Sequence, residues 1–293
     1  MAEKAWAGTT YGNGMMHKWL IRVLKWMDVR MLYVFAAIFI VPVCLLINKS
    51  CGIIYRYFRS RHKYGPIKSA WLTYVNHCLF SQVVIDRFAM YAGKRFRIEI
   101  EGLEYFNLLT KQPSGFIQLS SHIGNYEIAG YSLVAEDKPF NALVFFGEKE
   151  SVMRNRNQMF SDTNIRMISV KEDMSHLFLI DNAITQGEIV SMPADRIFGS
   201  SKSIDVNLLG NVASFPMGPF SVATMRSLDV LSVNVMKESC MTYKIYVKPL
   251  YYDKNLPRKQ QIAQLATKYV EELEHMLKLY PAQWYNFFEF WKS

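Results

Sequence analysis

Gly115-Phe-Ile-Gln-Leu-Ser-Ser-His122-Ile-Gly124-Asn125-Tyr-Glu127 passes from an apolar run into a polar turn and then into a helical pattern. Residues 115–119 read as a strand, Gly124 as the turn and residues 125–135 as a helix. A strand that hands over to a helix is the repeating unit of a layered α/β domain. The same stretch carries a histidine and a carboxylate five positions apart at the strand end, where α/β sheets place their ligands. A histidine held by a carboxylate can take a proton from a hydroxyl or amine. The pattern therefore predicts His122 as a general base and Glu127 as its orienting carboxylate, with a direct hydrogen bond closed by the bend at Ile123-Gly124. The helix start predicts free N–H groups for an oxyanion. Neither a serine nor a cysteine nucleophile stands nearby, so the base is expected to activate a substrate group directly.

Strand and helix signals alternate downstream. Residues 95–100 (RFRIEI) alternate charged and apolar, as a half-buried strand does. Strands are expected at 141–146, 166–170 and 188–192, with helices at 151–160 and 173–186. Further strands follow at 203–209, 230–236 and 242–252, the last two close enough to pair as a hairpin across 237–241. Gly210, Pro216, Gly218 and Pro219 read as a turn before a helix at 220–228. Residues 260–279 close the chain as an amphipathic helix. The expected fold is α/β, a mostly parallel central sheet flanked by helices.

Residues 6–92 read as helical throughout. Met31–Ile47 (MLYVFAAIFIVPVCLLI) holds no charge. It is short for a bilayer span, and Pro42 is expected to kink or break it. Lys18, Arg22, Lys25 and Arg30 precede it, and Lys49, Arg56, Arg59, Arg61 and Lys63 follow it. Positive flanks on both sides favour a segment lying in, or dipping into, one anionic leaflet over a spanning helix or a buried core helix. The chain divides in this reading into a helical region, 1–92, with its membrane-associating segment at about 31–47, and a catalytic domain, 93–293.

A formal net charge of +9 on 293 residues suits an anionic partner. No nucleic-acid motif accompanies it, so nucleic acid is set aside in favour of a membrane surface or an acidic carrier protein. A hydrophobic content of 51% excludes a disordered chain. Cys44, Cys51, Cys78 and Cys240 form no C-x-x-C pair and no zinc spacing, which predicts buried, reduced thiols, no metal and no cofactor.

The string His122-Ile-Gly-Asn-Tyr-Glu127 resembles the first motif of the lysophospholipid acyltransferase superfamily, and within it the lipid A lauroyl/myristoyl acyltransferase branch. Met192-Pro-Ala-Asp-Arg196, the segment Leu209–Phe220 and Tyr280-Pro-Ala-Gln-Trp284 are similar to later motifs of that branch. The resemblance implies a glycerol-3-phosphate-acyltransferase-like fold and an N-terminal membrane anchor. The implied reaction moves an acyl chain from acyl carrier protein or acyl-CoA to a lipid hydroxyl or amine. The implied location is the bacterial inner membrane, with the catalytic domain on the cytoplasmic face. It also implies that Arg154 or Arg156 clamps a phosphate or the oxyanion, and that Asp195, Arg196 and Asn125 contact substrate. Tyr126 stands where the branch usually has tryptophan, and Ala194-Asp195-Arg196 where many members have Asp-Gln. These departures leave open a lysophospholipid, aminoacyl lipid or aryl polyene lipid as acceptor, and a non-catalytic lipid-binding protein or a hydrolase as rival readings.

Overall fold

The computed structural model describes residues 14–48, 50–145, 164–170, 174–197 and 202–292. Its centre is a seven-stranded sheet in the order β1-β9-β8-β2-β5-β3-β4. The strands are β1 (Arg97–Glu101), β2 (Phe116–Ser120), β3 (Phe140–Phe145), β4 (Ile165–Val170), β5 (Ile189–Pro193), β8 (Asp229–Lys237) and β9 (Thr242–Pro249). Strands β8, β2, β5, β3 and β4 run in one direction, whereas β9 runs back beside β8 with β1 parallel to it. The mostly parallel sheet and the β8–β9 hairpin are as expected. Strands β6 (Ser203–Leu208) and β7 (Asn211–Pro216) form a separate antiparallel pair.

Among the described residues the helices are α1 (Gly14–Trp26), α2 (Val29–Ile47), α3 (Cys51–Arg56), α4 (Pro66–Tyr91), α5 (Leu103–Thr110), α6 (Glu127–Ser132), α7 (His176–Thr185), α8 (Met217–Met225) and α9 (Arg258–Leu279). One face of the sheet packs Ile117, Leu119 and Val190 against Ile180, Phe220 and Tyr269 of α7, α8 and α9. The other packs Phe116, Val233 and Ile245 against Phe106 of α5 and Ile128 of α6. A third, smaller cluster joins Leu24, Val29 and Tyr33 to Phe88 and Ala89 of α4. Burial on both faces explains why the parallel strands read as apolar runs.

Four expectations are corrected. Pro42 does not break α2. A π-helical segment, Ala36–Ile40, lies just before it, and the backbone continues through Val41–Ile47; such a bulge absorbs the hydrogen bond that proline cannot donate. Residues 211–216 are a strand, because Val212 to Phe215 pair with β6 and Pro216 falls at the strand end, where its missing N–H breaks no ladder. Helix α6 is shorter than residues 125–135: it runs only Glu127–Ser132, and Asn125 before it belongs to the turn, its N–H on the Val235 carbonyl at 2.8 Å. The thiols are free but not buried: Cys44 and Cys240 are exposed, Cys51 and Cys78 half-buried. The helix expected at 151–160 lies outside the described residues.

A buried ion pair ties α2 and α4 to the sheet. Lys237, at the end of β8, donates to Asp86 of α4; both are almost fully buried. The hydroxyls of Tyr33 (α2) and Tyr243 (β9) donate to the same carboxylate. The Asp86 carboxyl is pushed up by burial, against the pull of Lys237 and the tyrosine hydrogen bonds. Removing one partner of such a pair leaves a stranded charge, at a cost of about 3–5 kcal/mol.

Candidate active site

The register of β2 on β5 builds the site. Ser120 is paired with Pro193, the last residue of each strand. Two residues beyond each end lie His122 and Asp195, side by side because parallel neighbours leave the sheet in step. The His122 ring Nδ1 lies 2.7 Å from one Asp195 carboxylate oxygen, and the His122 backbone N–H donates to the other at 2.8 Å. Asp195 is 1% exposed and His122 17%. An ionised carboxylate only accepts, so Nδ1 carries the proton and Nε2 presents its lone pair.

Burial pushes the His122 imidazole below its ordinary pKa; Asp195 pulls it back up and Arg196 pushes it further down. The Asp195 carboxyl is raised by burial, but His122 and Arg196 outweigh that and hold it below the usual carboxylate range. A neutral histidine beside an ionised aspartate at neutral pH is the protonation state a general base requires. The Tyr126 ring stands edge-on to the imidazole with centroids 5.3 Å apart.

The carboxylate on Nδ1 is thus Asp195, where Glu127 had been expected. Glu127 instead pairs with Arg87 of α4 at 2.7 Å, both largely buried. At the start of α6, where donors for an oxyanion were expected, four N–H groups are already engaged. The N–H groups of Gly124, Asn125, Ile128 and Ala129 are bonded to the carbonyls of Gln283, Val235, Asn125 and Tyr126. Asn125 is buried and its amide lies 3.4 Å from the Tyr243 hydroxyl, a structural contact. The Arg196 guanidinium donates to the Tyr285 carbonyl at 2.8 Å. Arg154 and Arg156 lie outside the described residues.

The carboxyl-terminal segment forms the far wall of the site, a role its sequence did not disclose. The Gln283 carbonyl accepts from the Gly124 N–H at 2.8 Å, and Ile123 bridges to Trp284. The Gln283 side chain accepts from the Lys237 N–H at 2.9 Å and donates to the Lys237 carbonyl at 2.8 Å. Asn76 of α4 donates to the Ala282 and Trp284 carbonyls, both at 2.9 Å. The sequence signal was an amide beside a tryptophan near the chain end. The amide both donates and accepts here and leucine can do neither, so Gln283→Leu strands two backbone groups at about 1–3 kcal/mol each. Its melting midpoint is expected to fall by roughly 5–10 °C in a thermal unfolding series.

The class follows from placing this geometry beside known proteins: the chain is an acyltransferase that acts on lipid. The family model of the bacterial lipid A biosynthesis acyltransferases matches residues 89–293, and the chain belongs to that family. Among solved structures, the chain is similar to the 1-acyl-sn-glycerophosphate acyltransferase PlsC from Thermotoga maritima. The identity is 16%, the TM-score 0.41, and the match covers 92% of this chain and 100% of the other. No curated protein matches the chain significantly.

Proposed function

We propose that the protein transfers a fatty acyl chain from an acyl thioester, acyl carrier protein rather than acyl-CoA, to a hydroxyl or amine of a lipid A-type or related glycolipid acceptor. The observation that carries this reading is the buried His122–Asp195 pair at the carboxyl edge of the sheet, which holds the ring in the tautomer whose Nε2 is the basic nitrogen. In the reaction, His122 Nε2 removes the proton from the acceptor as its oxygen or nitrogen attacks the thioester carbonyl. The C–S bond then breaks, and the imidazolium returns the proton to the departing thiolate. No covalent acyl-enzyme forms. The net charge of +9 supports an acidic carrier protein as donor.

The reading places the enzyme on the cytoplasmic face of a bacterial inner membrane, attached through residues 1–92. Helix α2 supports this. Val29, Tyr33, Ala36 and Val41 are buried, whereas Met31, Phe35, Phe39, Leu46 and Ile47 are exposed. Trp19 and Trp26 of α1 and Trp71 of α4 are exposed as well, the residue type that favours a membrane interface. Helix α4 grips α2 through the Tyr33–Asp86 bond and the Tyr74 hydroxyl on the Ala37 carbonyl. One gripped face and one bare face suit a helix lying in the interface. Replacing Phe35 and Phe39 together with serine is expected to lower partitioning onto anionic vesicles at least tenfold in a co-sedimentation assay, with the melting midpoint little changed.

The test of the function is lipid mass spectrometry of the host, comparing a deletion strain rescued by wild type with one rescued by His122→Ala. A lipid lacking one acyl chain in both the deletion and the His122→Ala strain names acceptor and chain length together. A profile unchanged by the deletion sinks the proposed acceptor class.

A further inference from the structure

We propose that the first turn of α7, together with Ile197, is a second point of contact with the lipid leaflet, so that the carboxyl edge of the sheet faces the membrane with His122 between two apolar supports. The inference rests on reading α2 as a membrane-attached helix, and it names the face of the catalytic domain that the same leaflet touches. Phe178 is 81% exposed, Met174 58%, Leu179 54%, Ile197 44% and Leu177 37%. Single exposed apolar residues are ordinary, but several at one end of one helix are not. The outward face of α7 changes character along its axis. Leu177, Phe178 and Leu179 occupy it in the first turn, and Asn182, Thr185 and Gln186 follow. The inward face, Ile180, Ala183 and Ile184, is buried in the core. A helix packed on a sheet and facing only water would carry polar residues along the whole of its outer face.

The sheet sets this turn at the same edge as the base. Strands β2, β5, β3 and β4 run parallel, so their carboxyl ends lie together. His122 and Asp195 follow β2 and β5 there, Ile197 lies two residues beyond Asp195, and α7 begins soon after β4. Helix α2 reaches that edge from the other side. Lys237, the last residue of β8, donates to Asp86 of α4, which also accepts from Tyr33 of α2. Two more side chains of α4, Asn76 and Arg87, reach the Trp284 carbonyl and Glu127 beside the turn that carries His122. Helix α4 thus lies along the carboxyl edge, with α2 packed against it. In the strand order β1-β9-β8-β2-β5-β3-β4, β8 stands on one side of β2 and β5, and β4 on the other. The exposed face of α2 and the exposed turn of α7 therefore flank His122.

A lipid leaflet suits this face better than a protein partner. An acidic carrier protein is drawn to cations. The acidic side chain of α7, Asp181, is paired with Arg226 at 2.7 Å, so the two present little net charge. A second copy of the chain seated on α7 would leave Phe35, Phe39 and Leu46 of α2 in water. One leaflet covers both apolar features at once, because both stand at one edge of the sheet. Two supports also fix the tilt. A body held by α2 alone can swing about that helix, whereas one held on both sides of β2 and β5 keeps His122 at the lipid surface, where the hydroxyl or amine of the acceptor lies.

The experiment uses the full chain. Amide hydrogen exchange, read by mass spectrometry, is compared without and with vesicles of phosphatidylethanolamine and phosphatidylglycerol. The expected result is that vesicles slow exchange in peptides from residues 29–47 and also in those from residues 174–180. Replacing Met174 and Phe178 together with serine is expected to lower partitioning onto the same vesicles by about tenfold, with the melting midpoint unchanged. Thr185→Ser, farther along the outer face, is the control and is expected to change neither. Slowing at 29–47 alone, or unchanged partitioning of the double variant, overturns the second contact and leaves the attachment through α2 standing. Slowing at neither segment sinks the attachment itself and the second contact with it. Slowing at 174–180 without vesicles, on raising the protein concentration or on adding acyl carrier protein, gives the face to a second copy or to the donor and overturns the proposal.

Discussion

His122→Ala is expected to lower thiol release from an acyl thioester by about 10³–10⁴-fold and to leave a folded protein. The loss is expected to be chemical: the ring is largely buried, and it is held by the bond from Nδ1 to Asp195 beside the edge-on Tyr126 ring, contacts that serve its orientation. The backbone N–H of residue 122 still satisfies the other Asp195 oxygen in the variant. One stranded carboxylate oxygen costs about 1–3 kcal/mol, and Arg196 remains beside it. The wild-type profile carries the same assignment. A base must be neutral, and the imidazole sits below its ordinary pKa because it is buried. Activity is therefore expected to be flat at neutral pH and to fall only as the pH drops through a value below that of a free histidine. A profile that instead fell on the alkaline side of neutrality would mean that the imidazolium, and not the imidazole, is the working form. Full turnover by His122→Ala would remove the base from the mechanism altogether.

The depth to which the sequence could be read was set by range. Strands β2 and β5 were legible because a strand buried on both faces is an apolar run, and β1 because its exposed and half-buried positions alternate. Helix α9 was legible because its inner face repeats Leu265, Tyr269, Leu273 and Met276 at helical spacing. Local order at His122 was legible too, since strand, glycine turn and helix follow one another within a dozen residues. The partner of His122 was not. Asp195 lies 73 residues away, and β3, β4 and α7 intervene before β5 returns to pair with β2. Nothing in residues 115–127 encodes that return, so the nearest carboxylate, Glu127, took the role by default. The same limit hid Gln283. The segment Tyr280–Trp284 stood out as a motif, but the two side-chain bonds of Gln283 go to the backbone of Lys237, 46 residues away, a partner that no local pattern names. The error at residues 211–216 had another cause. Glycine and proline punctuate strands as well as turns, and only the register of Pro216 on Ser203, at the end of the ladder, tells the two apart.

Gly124→Ala is expected to be the most damaging single-methyl change in the turn. Gly124 has φ +54°, a backbone conformation side chains resist, and a Cβ there would lie 1.8 Å from the Val235 carbonyl oxygen and 3.2 Å from Met236 Sδ. That oxygen is backbone in the middle of the sheet, so the turn must yield. The left-handed conformation alone costs an alanine about 1–2 kcal/mol. Moving the turn also lengthens the Gly124 N–H bond to Gln283 and the Asn125 N–H bond to Val235, both 2.8 Å in the native fold. His122 is two residues away, and a displacement of about 1 Å at a reacting group costs about 10²-fold in rate. The variant is therefore expected to lose at least that factor in kcat together with several degrees of melting temperature. Gly65→Ala is the matched control. Gly65 precedes α4 with φ −62° and no atom within 4 Å of the added methyl, so it is expected to shift stability by about 1 kcal/mol or less. Equal behaviour of the two variants would show that the contact between the turn and β8 does not hold the base. A Gly124→Ala enzyme that folds normally yet turns over slowly would separate the placement of His122 from the stability of the sheet on which it stands.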